Sequence, residues 1–353
     1  MIRVVIPLAL LALVVTLLPG CGRSSDPGPA AAPAVSAADR DASLDAIERW
    51  LTAGQPESGE AIARVLLRRL PEDPHVRLAL ARTLIARAGR IQAALGPDAA
   101  RPLAREAAEV LDPAIVSGDR TGVSVVAWNR TRGLALETAG LDAEAIATYR
   151  ETADRDRVTA LYLALALLRV EDTATALDLL EDLNRNGEPD PYVLAALSEA
   201  QFDPAAPAAA RRTIAEAVRL DPDAWAIRLR QASIERRAGD PVRAIEMLSA
   251  LDPNVRTERV VCVELARSWR DHGRPDRSAQ VWATRATAHP DDLAAALEAA
   301  SLFTDAGRID DAEAWIRLVE DTAPDDDRLA AARRRLASEI ARRNLEDARS
   351  PSP

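Results

Sequence analysis

Lysine is absent from this chain: every one of its 45 positively charged side chains is arginine. Histidine occurs three times, cysteine twice, and aromatic residues make up 3% of the 353 positions. Each shortage excludes something. Cys21 and Cys262 stand in unlike contexts, one in an apolar N-terminal stretch and one inside a helical pattern, so they give no disulfide framework. His75, His272 and His289 are scattered at expected helix starts and ends, where an imidazole complements the helix dipole, and they offer no metal-ligand spacing. Few aromatics and no alternating β-branched runs beyond the N-terminus leave little material for a sheet. The net charge of -10 lacks the basic stripe that a nucleic-acid surface needs. Arginine in place of lysine, alongside inflated alanine and proline, reflects a GC-rich coding sequence more than a function.

Enzyme motifs are missing too. There is no nucleophile elbow, P-loop or dinucleotide fingerprint, so no catalytic residue, cofactor or metal ligand is assigned. Cys262 falls on the apolar face of a helix and is expected to be an inert core thiol. The run Asp325-Asp326-Asp327 lacks the spacing of a calcium loop and suits the N-terminal turn of a helix.

What is present begins with an address. Arg3 precedes an apolar stretch over residues 4–18, too short to cross a membrane, which ends in Leu18-Pro19-Gly20-Cys21. This end resembles the lipobox of bacterial lipoprotein signal peptides, with Pro19 where that family more often has Ala, Ser or Thr. The resemblance implies cleavage before Cys21 and acylation of that cysteine, palmitate included. Several acyl chains on one residue give stable anchoring where one would be marginal. Gly22 after the cysteine implies sorting to the outer membrane, facing the periplasm, in a Gram-negative host. Residues 22–41 are rich in Pro, Ala, Ser and Gly and have no apolar period, so they read as a disordered tether.

Beyond the tether a beat sets in. Gly239, Gly273 and Gly307 stand 34 residues apart, as do Ala210, Ala244, Ser278 and Ala312; Pro222, Pro290 and Pro324 keep the same phase. A fixed period of this length marks a stack of like units that each pack on their neighbours. One unit shows the logic. Cys262, Leu265, Ala266 and Trp269 share a face of a first helix, which His272-Gly273 stops. Ser278, Val281, Trp282 and Ala286 line a second helix, and Pro290 follows its end.

This unit resembles the tetratricopeptide repeat, a 34-residue helix-turn-helix with small residues where its two helices cross. The small positions are Gly133, Ala164, Ser198, Ala232, Ala266 and Ala300 on first helices, and Ala145, Ala176, Ala210, Ala244, Ser278 and Ala312 on second helices. Tyr149, Leu180, Ile214, Leu248, Trp282 and Ile316 fill the next turn, and Trp128 stands one residue before the family's aromatic position. Backbones approach closely only where nothing larger than a methyl or hydroxymethyl intervenes. The resemblance implies an all-α, right-handed superhelix of about eight helix pairs with a C-terminal capping helix. Its repeats span residues 121–324, the capping helix 325–345 and a disordered tail 346–353. Residues 42–120 read as degenerate repeats, with an insertion over 90–101 that is either a surface elaboration or a functional loop.

In that family the first helices line an inner groove that grips peptides or protein segments. Carried onto this chain, the groove residues are Arg130, Tyr162, Tyr192, Phe202, Arg230, Arg267 and Arg270, with Glu199, Ser233, Glu264 and Glu298 among them. Tyr162, Tyr192 and Phe202 make one half aromatic; Arg230, Arg267 and Arg270 make the other cationic. Such side chains dominate binding hot spots and suit an acidic peptide, unless the arginines are neutralised by Glu199, Glu264 and their neighbours. The Lys/Asn carboxylate clamp of some chaperone-binding members is not visible.

The resulting expectation is a membrane-anchored protein–protein interaction scaffold of the bacterial cell envelope, without nucleic acid or cofactor. The alternatives are a structural spacer or a homo-oligomeric subunit of an envelope assembly (pilus, secretion or outer-membrane protein assembly). An enzyme with its chemistry hidden in the insertion is a more distant reading.

Overall fold

A computed structural model describes residues 35–112 and 123–349. Cys21 and most of the expected tether lie outside the described residues. Within them the chain forms eighteen helices and no strand. In order they are α1 (Ala37–Thr52), α2 (Pro56–Arg69), α3 (Pro74–Leu95), α4 (Pro97–Val110), α5 (Val125–Thr138) and α6 (Asp142–Arg150). Next come α7 (Arg157–Arg169), α8 (Thr173–Arg185), α9 (Pro191–Ala200), α10 (Ala208–Leu220), α11 (Trp225–Arg237) and α12 (Pro241–Ser249). The last are α13 (Pro253–Arg256), α14 (Arg259–Asp271), α15 (Pro275–Ala288), α16 (Leu293–Asp305), α17 (Ile309–Thr322) and α18 (Asp327–Arg349). Apart from the single turn α13, they form eight consecutive antiparallel pairs closed by α18.

The starts and stops are chemical. Aspartate caps many first helices: the Asp73 side chain accepts from the amides of His75 and Val76 at 2.9 and 3.2 Å. Proline opens α2, α3, α4, α9, α12 and α15, where its missing N–H costs nothing. The turn within a pair needs left-handed backbone, and Gly140, Gly239, Gly273 and Gly307 supply it with φ of 79°, 88°, 77° and 74°. In the α7–α8 turn the same conformation falls to Glu171, the one non-glycine residue with positive φ among the described residues.

Packing follows the beat. All twelve small crossing positions are buried, and so are Tyr149, Leu180, Ile214, Leu248, Trp282 and Ile316 beside them. Trp128 is fully buried, and its indole N–H donates to the Leu111 carbonyl at 3.1 Å. Core clusters run from unit to unit without a single centre, as expected where each pair packs on its neighbours.

Three boundaries differ from the sequence reading. Helix α1 begins at Ala37, inside the stretch assigned to the tether, because Ser36 provides a cap by accepting from the Asp39 amide at 3.1 Å. Helix α18 runs to Arg349, so the tail is helical further than its polarity suggested. The insertion is no loop. Gly89 lies within α3 and Pro102 within α4, and the two helices meet at Gly96. The added residues lengthen a helical hairpin whose tip is held by Ala88, Ala100 and Ala104 packed with Ile91 and Leu103.

Candidate functional site

Successive first helices touch one another: α1 with α3, α3 with α5, α5 with α7, α7 with α9, α9 with α11, and α11 with α14. Second helices contact mainly their sequence neighbours. The first helices therefore form the closer-spaced inner wall, and the expected groove residues lie along it, with one exception. Helix α9 ends at Ala200 and Gln201 caps it, so Phe202 sits in the turn that follows.

The wall divides by what its side chains already do. Arg130 on α5 pairs at 3.2 Å with Asp156, the residue that caps α7. Burial pushes the Asp156 carboxyl up, but the hydroxyl and amide of Thr159 and the Arg130 guanidinium outweigh it and hold it below the usual carboxylate range. Tyr162 on α7 stacks on Tyr149, with ring centroids 6.0 Å apart and planes at 21°. Tyr149 in turn donates its hydroxyl to Glu137 at 3.1 Å. Arg130 and Tyr162 are thus parts of the helix stack. Tyr192, at the start of α9, is half exposed and is the largest open aromatic surface on this wall.

The cationic half behaves differently. Glu199, expected to neutralise a groove arginine, pairs with Arg237, whose guanidinium also lies 4.0 Å from the centroid of Phe202. Glu264 pairs at 2.6 Å with Arg236, which reaches Asp271 at 2.9 Å as well. The acids are occupied by arginines other than those assigned. Arg230, Arg267 and Arg270 make no ion pair or side-chain hydrogen bond among the described residues. Arg267 and Arg270 are exposed, whereas Arg230 is half-buried. Burial lowers the Arg230 pKa from its ordinary value, and the charge of Glu199 only partly offsets this. A guanidinium so placed has five donors and no acceptor, which suits a carboxylate from outside.

Further along, a cavity of about 490 Å³ lies between α14, α16 and α18. Arg259, Trp282, Leu297, Glu298, Arg328 and Arg335 line it. Cys262 is buried next to it, and burial pushes its thiol up to about 11. Among the described residues no three His, Cys, Asp or Glu side chains are grouped to hold a metal, and no helix is long and apolar enough to cross a membrane.

Paired helices repeated around a shared inner wall make this fold a helical solenoid. Residues 205–257 and 263–327 match the tetratricopeptide repeat, and these units are tetratricopeptide repeats. The structure is similar to a crystal structure of a tetratricopeptide repeat protein from Parabacteroides merdae, with 12% identity, a TM-score of 0.52, and coverage of 70% of this chain and 92% of that one. It is similar also to yeast Tom70, with 15% identity, a TM-score of 0.52, and coverage of 84% of this chain and 60% of that one. At such identities the likeness is one of fold alone. No curated protein matches the sequence.

Sequence reasoning missed Arg237 and Arg285. Arg237 is one residue outside the assigned face and takes Glu199 by reaching around Phe202. Arg285 was visible in the beat itself: it stands where Ala217, Leu251 and Val319 stand in other units, all three buried. An ionised side chain at a core position is the signal that was there to find.

Proposed function

We propose that this chain is a lipid-anchored scaffold of the bacterial cell envelope whose inner wall binds an acidic segment of a partner protein. The observation that carries the reading is the set Arg230, Arg267 and Arg270, which have no acids of their own because Arg236 and Arg237 hold Glu264 and Glu199. Tyr192 adds an open aromatic surface near the other end of the same wall. Aromatic and guanidinium groups together make the kind of patch on which binding energy concentrates. The fold supplies the general function of holding a protein partner. The anchor rests on the N-terminal residues that end in Cys21, and the outer membrane facing the periplasm is the proposed location. The role is one of binding, and no residue is assigned to a reaction.

The test is recovery of partners from envelope extracts with the full-length chain. Replacing Tyr192, Arg230 and Arg267 with Ala should abolish capture of the acidic partner, and capture should weaken with salt. Unchanged recovery would remove the groove assignment. Incorporation of a clickable palmitate analogue tests the anchor, since label that persists after Cys21→Ser excludes acylation at that cysteine.

A further inference from the structure

Two arginines in the second half of the chain reach back across the solenoid. Arg285 on α15 donates through Nη2 to the carbonyl of Ala93 at 2.7 Å, and Arg259 on α14 donates through Nη2 to the carbonyl of Ala94 at 3.0 Å. These partners are 192 and 165 residues away in sequence. They belong to the last turn of α3, at the tip of the lengthened hairpin. Both arginines also hold Asp292, Arg259 at 2.5 Å and Arg285 at 2.6 Å, and Arg285 donates to the Thr257 carbonyl as well. Arg285 and Asp292 are only 3% and 2% exposed.

We infer that Arg259, Arg285 and Asp292 form a receptor for a helix C-terminus, filled within the same chain by the end of α3, which clasps the solenoid closed. Three features converge on this. Two guanidiniums against a single buried carboxylate leave an excess positive charge, and burial together with Arg285 lowers the Arg259 pKa while Asp292 offsets them only in part. The end of a helix supplies the complement, roughly half a negative charge carried by carbonyls that have no intrahelical donor. Each side therefore satisfies groups that the other leaves open.

The second feature is reach. Helix α3 has 22 residues against 13 in α14, and the excess projects it by about 13 Å. That excess is the insertion which breaks the register of the early repeats. The third is position. Arg285 occupies a core place that is apolar in three other units, where packing alone would favour Leu or Val. An arginine there costs desolvation that only its acceptors offset.

The test uses pulsed electron paramagnetic resonance on the full chain carrying Cys21→Ser, with spin labels at Gln92→Cys and Asn254→Cys; the buried Cys262 stays unlabelled. The expected result is one short, narrow distance distribution. Ala94→Pro forces Ala93 out of helical geometry and turns its carbonyl away. Arg285→Leu restores the residue type of the other units and leaves Asp292 paired with Arg259. Each variant should lengthen and broaden the distribution. Amides in the last turn of α3 should exchange about tenfold faster, while helix content and cooperative unfolding persist. A broad, long distribution in the parent chain overturns the proposal, as does an unchanged distribution in Ala94→Pro even if Arg285→Leu fails to fold. A short distance that vanishes on dilution with unlabelled chain places the contact between two copies and overturns the assignment within one chain.

Discussion

The inner wall has two halves that a list of residue types would rank alike, and the structure separates them by what each side chain already holds. Around α5 and α7, Arg130 caps a capping residue and Tyr162 stacks on a buried tyrosine. Around α11 and α14, Arg230, Arg267 and Arg270 hold nothing. The lesson is that a groove residue becomes a binding residue only when its neighbours have found other partners. Here the acids beside the arginines are taken by Arg236 and Arg237, one register step away.

That contrast can be broken by mutation, and the largest effect belongs to the locked half. At Gly133 an added methyl would overlap the ring of Tyr149, the same ring that supports Tyr162. Gly133→Ala should cost about 1–3 kcal/mol in denaturant unfolding through overpacking. A neutral result would mean that the α5–α6 crossing is looser than its burial implies.

Next is Asp156→Ala, which removes both the cap of α7 and the partner of Arg130. A loss of about 1–2 kcal/mol is expected at neutral pH. Because the folded carboxyl titrates below its unfolded value near 3.9, its contribution is complete above that pH. It fades as the pH falls through the lower, folded value. The stability curves of parent and variant should therefore converge in acid, and parallel curves would refute the assignment.

A smaller effect, of opposite sign, is expected at Glu171. It holds the left-handed turn that Gly140 holds one unit earlier. Glu171→Gly should raise stability by about 0.5–1 kcal/mol, measured by thermal or denaturant unfolding. The smallest effect belongs to the free half. Arg267→Ala and Arg270→Ala should each change stability by less than about 0.5 kcal/mol, since they are exposed and unpaired. A loss above about 1 kcal/mol at either would show a structural role and cancel the contrast.

Much of the fold was legible because it is local. Small residues such as Ala244 and Ala312 mark crossings, and glycines such as Gly273 mark left-handed turns, with physical reasons that act within one unit. The candidate site was legible only as a face. Which arginine takes Glu199 depends on side-chain reach around Phe202, and periodicity carries no information about reach. The insertion was misread because Gly89 and Pro102 suggested breaks. Gly89 lies among good helix formers, with nothing close enough to touch an added methyl. Pro102 gives up one bond in a helix whose other turns pack well against α3.

The bonds from Arg285 and Arg259 to α3 join parts of a chain whose other contacts are mostly between neighbours. In kinetic terms they are the contacts with the greatest loop to close, and they reward closure only when both ends are already in place. Four helix pairs, α5–α6 through α11–α12, must stack in register before the tip of α3 can meet its receptor. An array missing one of those pairs, or carrying a slipped one, would present the two ends at the wrong separation. The clasp is therefore expected to form last, as a contact that reports whether the array has the right length.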